Sequence, residues 1–296
     1  MSVACRCPKP TPDWTSQPRP LGAALVLVLL LPSVAATAAT VVEPSPRAVS
    51  AAHPHVAAAP SPGGPPAAAD ATAPVAADAA AGLRLDQAAL ERVVGTPPPP
   101  QSQAAQDDLA ILRWLQANRT PQLIAATWTL LSREPTVFAS ALGVDMRRST
   151  PGITAGLRQF LALVDGACNR IKTQVRRPRP YVSHPELKPC LPPESGFSFP
   201  SGHASWYTAA AELLADLLPQ RRERLLEMAQ HGAASRVMCG VHYPSDVAAA
   251  QRLGRAAAAQ ILASPQWRRF RLEPSVQAEI QRVNAARSEQ LPTLLR

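Results

Sequence analysis

Aromatic side chains are scarce in this 296-residue chain: Phe, Trp and Tyr make up 4% of it. No segment alternates apolar and polar residues convincingly over the four to eight positions of a typical strand, and no internal repeat is present. Beyond the N-terminal region, no apolar run approaches the roughly 20 residues that a bilayer-crossing helix needs. No basic run alternates with aromatics, so the net charge of +9 does not read as a stacking surface for nucleic acid. These absences leave an all-α domain as the expected fold class. What is abundant is Ala and Leu, the composition of helices packed closely through small residues.

Proline divides the chain. Of its 33 prolines, 18 fall in the first hundred residues, and most of residues 37–82 are Ala, Pro and Val. Such a stretch has no large apolar side chain to bury, so it is expected to be a disordered spacer. The N-terminus carries Arg6, Lys9 and Arg19 ahead of the apolar run "LGAALVLVLLL" and the small-residue stretch "SVAATAAT". That is the pattern of an export signal, cleaved around Ala36 to Ala39; an uncleaved anchor is the alternative. The expected organisation is a signal peptide over 1–38, an Ala/Pro-rich linker over 39–82 and a helical domain over 83–296. That domain holds 26 basic and 17 acidic side chains, long enough for one sizeable core.

Export bears on the cysteines. Cys5 and Cys7 leave with the signal, so Cys168, Cys190 and Cys239 remain. One disulfide and one free thiol is the expectation in an oxidising compartment. Three pairings are open, as are three reduced thiols. Cys190–Cys239 is preferred because a loop cysteine gains most from a covalent tie. His53 and His55 form "HPH" in the spacer, but without further ligands they do not make a metal site.

Three clusters carry chemistry. In "KTQVRRPRP", Lys172 and Arg176 stand four apart at the end of a long helix and so share a face. Pro178 and Pro180 force the chain out of helix and hold Arg179 extended. Read alone, the same basic run would merely complement a helix dipole. In "FPSGHAS", Ser201, Gly202 and His203 open an apolar helix, whose unpaired N–H groups make an anion site. A capping serine and a surface histidine would look the same. In "SRVMCGVHYPSD", Arg236 is a planar cation suited to phosphate-like oxygens. His242 and Asp246 lie four apart, and a carboxylate on one ring nitrogen leaves the other lone pair free to attack. Against this stands a helix-start aspartate near an unrelated histidine.

Together these spell K-x6-R-P, P-S-G-H and S-R-x5-H-x3-D. The order resembles the signature shared by type 2 phosphatidic acid phosphatases, bacterial non-specific acid phosphatases and vanadium-dependent haloperoxidases. Within that superfamily the chain is similar to exported class A bacterial acid phosphatases, although it has Phe199 and Ala204 where that class commonly has Tyr and Thr. The resemblance implies a single helical domain and hydrolysis of small phosphomonoesters. It implies His242 as nucleophile through a phosphohistidine, Asp246 as its orienting carboxylate and His203 as general acid and base. Lys172, Arg179, Ser201, Gly202 and Arg236 would hold the phosphoryl oxygens. Arg176 and Arg177 would be supporting or surface residues, and His184 and His231 would have no catalytic part.

No metal or other cofactor is implied, vanadate is expected to inhibit, and the family suggests a homo-oligomer. The expected location is periplasmic or secreted, without stable membrane insertion and without nucleic acid as partner. An acidic optimum follows from needing His203 protonated while His242 is neutral. The competing readings are a vanadate-dependent haloperoxidase, a membrane-associated lipid phosphatase using the same cage, and a non-catalytic phosphate binder.

Overall fold

The computed structural model describes residues 78–286. The expected signal peptide, most of the expected linker, and Cys5, Cys7, His53 and His55 lie outside the described residues. Helix starts follow local chemistry. Asp86, Ser102 and Thr120 each cap a helix by accepting a main-chain N–H of its first turn, and each removes one orphan donor. They open α1 (Gln87–Val94), α2 (Gln103–Asn118) and α3 (Pro121–Thr129). Two single turns follow, α4 (Ala139–Leu142) and α5 (Met146–Ser149). Proline at the first helical position, where the missing N–H is harmless, starts α6 (Pro151–Val175) and the short α7 (Pro180–Ser183).

The second half holds α8 (Gly202–Leu217), α9 (Arg222–Met238), α10 (Pro244–Leu262), α11 (Pro265–Leu272) and α12 (Pro274–Ala285). There is no strand among the described residues. Helix α8 is the centre: it packs on α6, α9 and α10, and nearly all its side chains are buried. Small residues make this approach feasible. A Cβ on Gly254 would stand 2.6 Å from the Ser205 carbonyl oxygen, and one on Gly232 would stand 2.4 Å from the Tyr207 ring. Around these contacts Phe138, Leu157, Leu213, Leu214 and Leu253 are fully buried, each worth roughly 1.5–3 kcal/mol against exposure.

Helix α11 is one that periodicity does not announce. Its sequence "PQWRRFRL" is short and arginine-rich, yet Trp267 and Phe270 pack on Phe160 of α6 at ring distances of 5.1 and 5.6 Å. The linker boundary also shifts. Residues 78–82, which composition assigns to the spacer, form a turn, with Ala79 and Ala80 packed against the core. Alanines with no pattern of their own acquire a place only from that tertiary contact. None of the described helices is long and apolar enough to cross a membrane.

Candidate active site

Four connections converge at one end of α8. Lys172 sits in the last turn of α6, and its ammonium donates to the carbonyl of Phe197. Burial pushes its pKa down to about 8. Arg176 does not share its face. It caps the helix at φ +53°, in left-handed backbone, and is exposed, its Nε bonded to the Thr173 carbonyl. The expected common face fails because α6 ends one residue before Arg176.

Arg179 is extended between its two prolines, with φ −68° and ψ 153°, and is buried. Its Nε donates to Gly196 O at 2.8 Å and its Nη1 to Val241 O at 2.9 Å. The same Nη1 lies 2.8 Å from His242 Nε2. A guanidinium can only donate, so His242 Nε2 is the acceptor and bears a lone pair. The ring proton therefore sits on Nδ1, which faces Asp246 Oδ2 at 3.4 Å and Ser198 Oγ at 3.4 Å. Burial, and then the charges of Arg179, Lys172 and Arg236, hold His242 well below the ordinary histidine pKa. The result is a neutral imidazole with its lone pair toward the cations.

His203 has the opposite tautomer. Its Nε2 lies 2.8 Å from the Leu131 carbonyl oxygen, which can only accept, so Nε2 carries hydrogen and Nδ1 is the nitrogen left for proton exchange. Burial and then Arg236 depress its pKa to about 4, against the Leu131 carbonyl and Glu194, which raise it. Ser201 caps α8, accepting the Ala204 N–H, while its own N–H donates to Asp246 O at 3.1 Å. Its hydroxyl proton stays available to a ligand. A Cβ on Gly202 would meet Lys172 Cε at 3.9 Å and Arg133 Nη1 at 4.0 Å, so two cationic side chains flank that helix start.

Arg236, in the last turn of α9, is fully buried. Burial lowers its pKa to about 10, which keeps it charged at neutral pH. Its Nη2 donates to Glu194 Oε1, and Arg179 Nη2 donates to Glu194 Oε2 at 2.6 Å. Nε and Nη1 of Arg236 find no acceptor among the described residues. Glu194 was missed by sequence reading because nothing in "LPPESGF" marks a site. The same holds for Ser198, whose hydroxyl donates to Asp246 Oδ2.

Arg177 differs from its neighbour Arg176. Its Nη1 donates to Asp246 Oδ1 at 2.7 Å, its Nη2 to Asp108 Oδ2 at 3.2 Å, and its guanidinium lies 3.9 Å over the Tyr243 ring. Asp108 also accepts the Ser245 N–H at 2.9 Å. Doubled arginine offers no clue to which partner turns inward, and Asp108 is 137 residues from Ser245. His184 and His231 stand apart, near Glu186 and Glu227 respectively. Cys190 and Cys239 are joined by a disulfide, and Cys168 is a buried free thiol. No group of three or more His, Cys, Asp or Glu side chains among the described residues is arranged to hold a metal ion.

Residues 156–270, which contain all three clusters, match the model of the PAP2 superfamily. That segment runs from α6 to α11 and is similar to the PAP2 superfamily over less than half of the chain. Over 101 residues the chain is 45% identical to a decaprenylphosphoryl-5-phosphoribose phosphatase of Mycolicibacterium smegmatis, covering 34% of this chain and 52% of the relative. Over 169 residues it is 28% identical to an acid phosphatase of Zymomonas mobilis, covering 51% of this chain and 62% of the relative. A solved transmembrane PAP2 type phosphatidylglycerolphosphate phosphatase from Bacillus subtilis is similar at 24% identity and a TM-score of 0.41, over 58% of this chain and 88% of that one. The chain thus spans about half the length of the curated relatives it matches. The family match and the acid phosphatase relative support the superfamily; they do not select the class A acid phosphatases within it.

Proposed function

We propose that the protein is a phosphoric monoester hydrolase, specifically an exported, metal-independent acid phosphatase working through a phosphohistidine on His242. One observation carries this reading: Arg179 and Arg236 converge on a single anion, the Glu194 carboxylate, beside the lone pair of His242 Nε2. An imidazole poised to attack, next to guanidinium groups that already grip an oxyanion, is the arrangement phosphoryl transfer needs.

In the first step His242 Nε2 bonds to phosphorus, the ester P–O bond breaks, and the leaving alkoxide takes a proton from Nδ1 of protonated His203. Asp246 stabilises the imidazolium through Nδ1–H. In the second step His203 removes a proton from water, the resulting hydroxide bonds to phosphorus, and the P–N bond breaks. The balance is water plus monoester to alcohol plus phosphate. Lys172, Arg179 and Arg236, with Ser201 and the Gly202 N–H, neutralise the non-bridging oxygens. They supply the positive charge that a metal ion would otherwise provide.

The test is phosphate release by the full chain from a panel of monoesters with EDTA present and vanadate as inhibitor. The panel includes a pentose 5-phosphate, because one relative is named a decaprenylphosphoryl-5-phosphoribose phosphatase. The expected result is EDTA-resistant, vanadate-sensitive hydrolysis, with an acid-labile phosphoenzyme trapped on quenching. No hydrolysis of any member, or complete loss with EDTA, overturns the reading.

A further inference from the structure

Glu194 is the group that this mechanism leaves unused, and it occupies the most valuable place in the site. Its two oxygens take one guanidinium each: Oε2 accepts from Arg179 Nη2 at 2.6 Å and Oε1 from Arg236 Nη2. The remaining nitrogens of Arg179 are engaged elsewhere, on Gly196 O, Val241 O and His242 Nε2. Nη2 is therefore the donor it can offer a ligand, and Glu194 holds one of its two hydrogens. Burial alone would raise the Glu194 carboxyl, but Arg179 and Arg236 overcome this and keep its pKa at about 2. It is an anion at any working pH.

We propose that Glu194 is a resident competitor for the phosphoryl site, so that substrate, product phosphate and vanadate bind by exchanging with its carboxylate. This rests on the phosphatase reading above and deepens it. A dianionic phosphoryl group and a carboxylate repel one another and compete for the same two guanidinium groups. The incoming group wins because it satisfies more donors. Arg236 Nε and Nη1 are buried and lack an acceptor among the described residues. The Glu194 carboxylate makes no bond to them, whereas a tetrahedral oxyanion brings further oxygens.

The exchange is a side-chain rotation. The Glu194 main chain is pinned on both sides by one hydroxyl: its N–H donates to Tyr181 Oη at 2.9 Å, and its carbonyl accepts from the same oxygen at 2.8 Å. The side chain is 35% exposed and so has water to turn into. The consequence is kinetic as well as energetic. A carboxylate that re-enters the cage promotes departure of the product phosphate and keeps the arginines aligned between turnovers.

The experiment is titration calorimetry of inorganic phosphate into the full chain, as wild type, Glu194→Gln and Glu194→Ala, alongside inhibition constants for phosphate and vanadate. Both variants are expected to bind phosphate at least about tenfold more tightly, a gain of about 1.4 kcal/mol, with phosphate inhibition strengthened in step. Using two variants separates loss of charge from loss of volume, and circular dichroism checks that each folds. Equal or weaker phosphate binding in both folded variants overturns the role of Glu194 while leaving the phosphatase reading intact. A hydrolysis rate that collapses without tighter phosphate binding would make Glu194 part of the chemistry and also overturns the proposal. Wild-type protein that neither binds phosphate nor hydrolyses any monoester would instead overturn the phosphatase reading itself.

Discussion

Oδ2 of Asp246 lies 3.4 Å from Nδ1 of His242, and the same oxygen accepts the Tyr243 N–H at 2.9 Å. The carboxylate that faces the ring thus also satisfies the start of α10. A helix N-terminus favours a negative charge, and the carboxylate of Asp246 sits there beside His242. Replacing His242 with Ala is expected to lower turnover at least about 1,000-fold while far-UV circular dichroism is unchanged. Asp246→Asn should cost about 100-fold or more by destabilising the Nδ1–H tautomer. Steady-state rates on a phenyl phosphate check both, and near-normal turnover in His242→Ala would contradict the assignment.

The pH profile follows from the histidines. In the proposed mechanism His203 donates a proton, yet burial and Arg236 hold its pKa at about 4. Its protonated fraction therefore falls about tenfold for each unit above that value, and kcat/KM for a poor leaving group should decline as pH rises. His203→Asn should flatten this limb, with an activated ester much less affected. A profile peaking above about pH 9 would contradict it.

Stability should move the other way. His203 and His242 both have folded pKa values below the ordinary 6.5, so on acidification the unfolded chain binds protons first. Thermal stability is expected to hold above pH 6.5 and to fall between pH 6.5 and about 4. Asparagine at either position should reduce that loss, which melting curves across the interval would measure.

Arg177 links two carboxylates from distant parts of the chain, Asp108 and Asp246, with the latter fully buried. Removing the guanidinium strands both charges, so Arg177→Ala should destabilise the fold by about 3–5 kcal/mol. Lysine restores the charge but not the two-armed geometry, so Arg177→Lys should recover only part of it. Urea unfolding gives the energies. A shifted pH–rate profile in the lysine variant would show that Asp246 has lost its partner.

The Cys190–Cys239 bond ties the loop bearing Glu194 and Ser198 to the end of α9, close after Arg236, across a sequence separation of 49. A second link runs beside it, from Cys190 N–H to Cys239 O at 3.1 Å. Reduction, or Cys190→Ser, is expected to lower stability by about 2–4 kcal/mol. It should also raise KM, because Arg236, which lies just before Cys239, loses part of the restraint that holds it in the site. Melting temperature and KM with and without reductant test the two effects together.

How much of this was legible depended on range. Proline and capping residues announce helix starts because their preferences act within one turn, so Ser102, Pro121, Pro151 and Pro244 could be read directly. The residues that anchor the three clusters were legible by type and spacing alone. Helix α11 was not, since its Trp267 and Phe270 matter only through Phe160 on another helix.

By itself the sequence determined an all-α body, the order of its main helices and three clusters of candidate site residues, because turn geometry, side-chain charge and short spacings are local properties. Only the tertiary structure decided that Arg177 faces inward while Arg176 faces water. Only it brought Asp108 beneath Asp246 and put the Glu194 carboxylate between Arg179 and Arg236. These are electrostatic pairings across 15 to 69 residues of chain. Their energies depend on burial and on directions in space, and neither is written in the spacing of the residues.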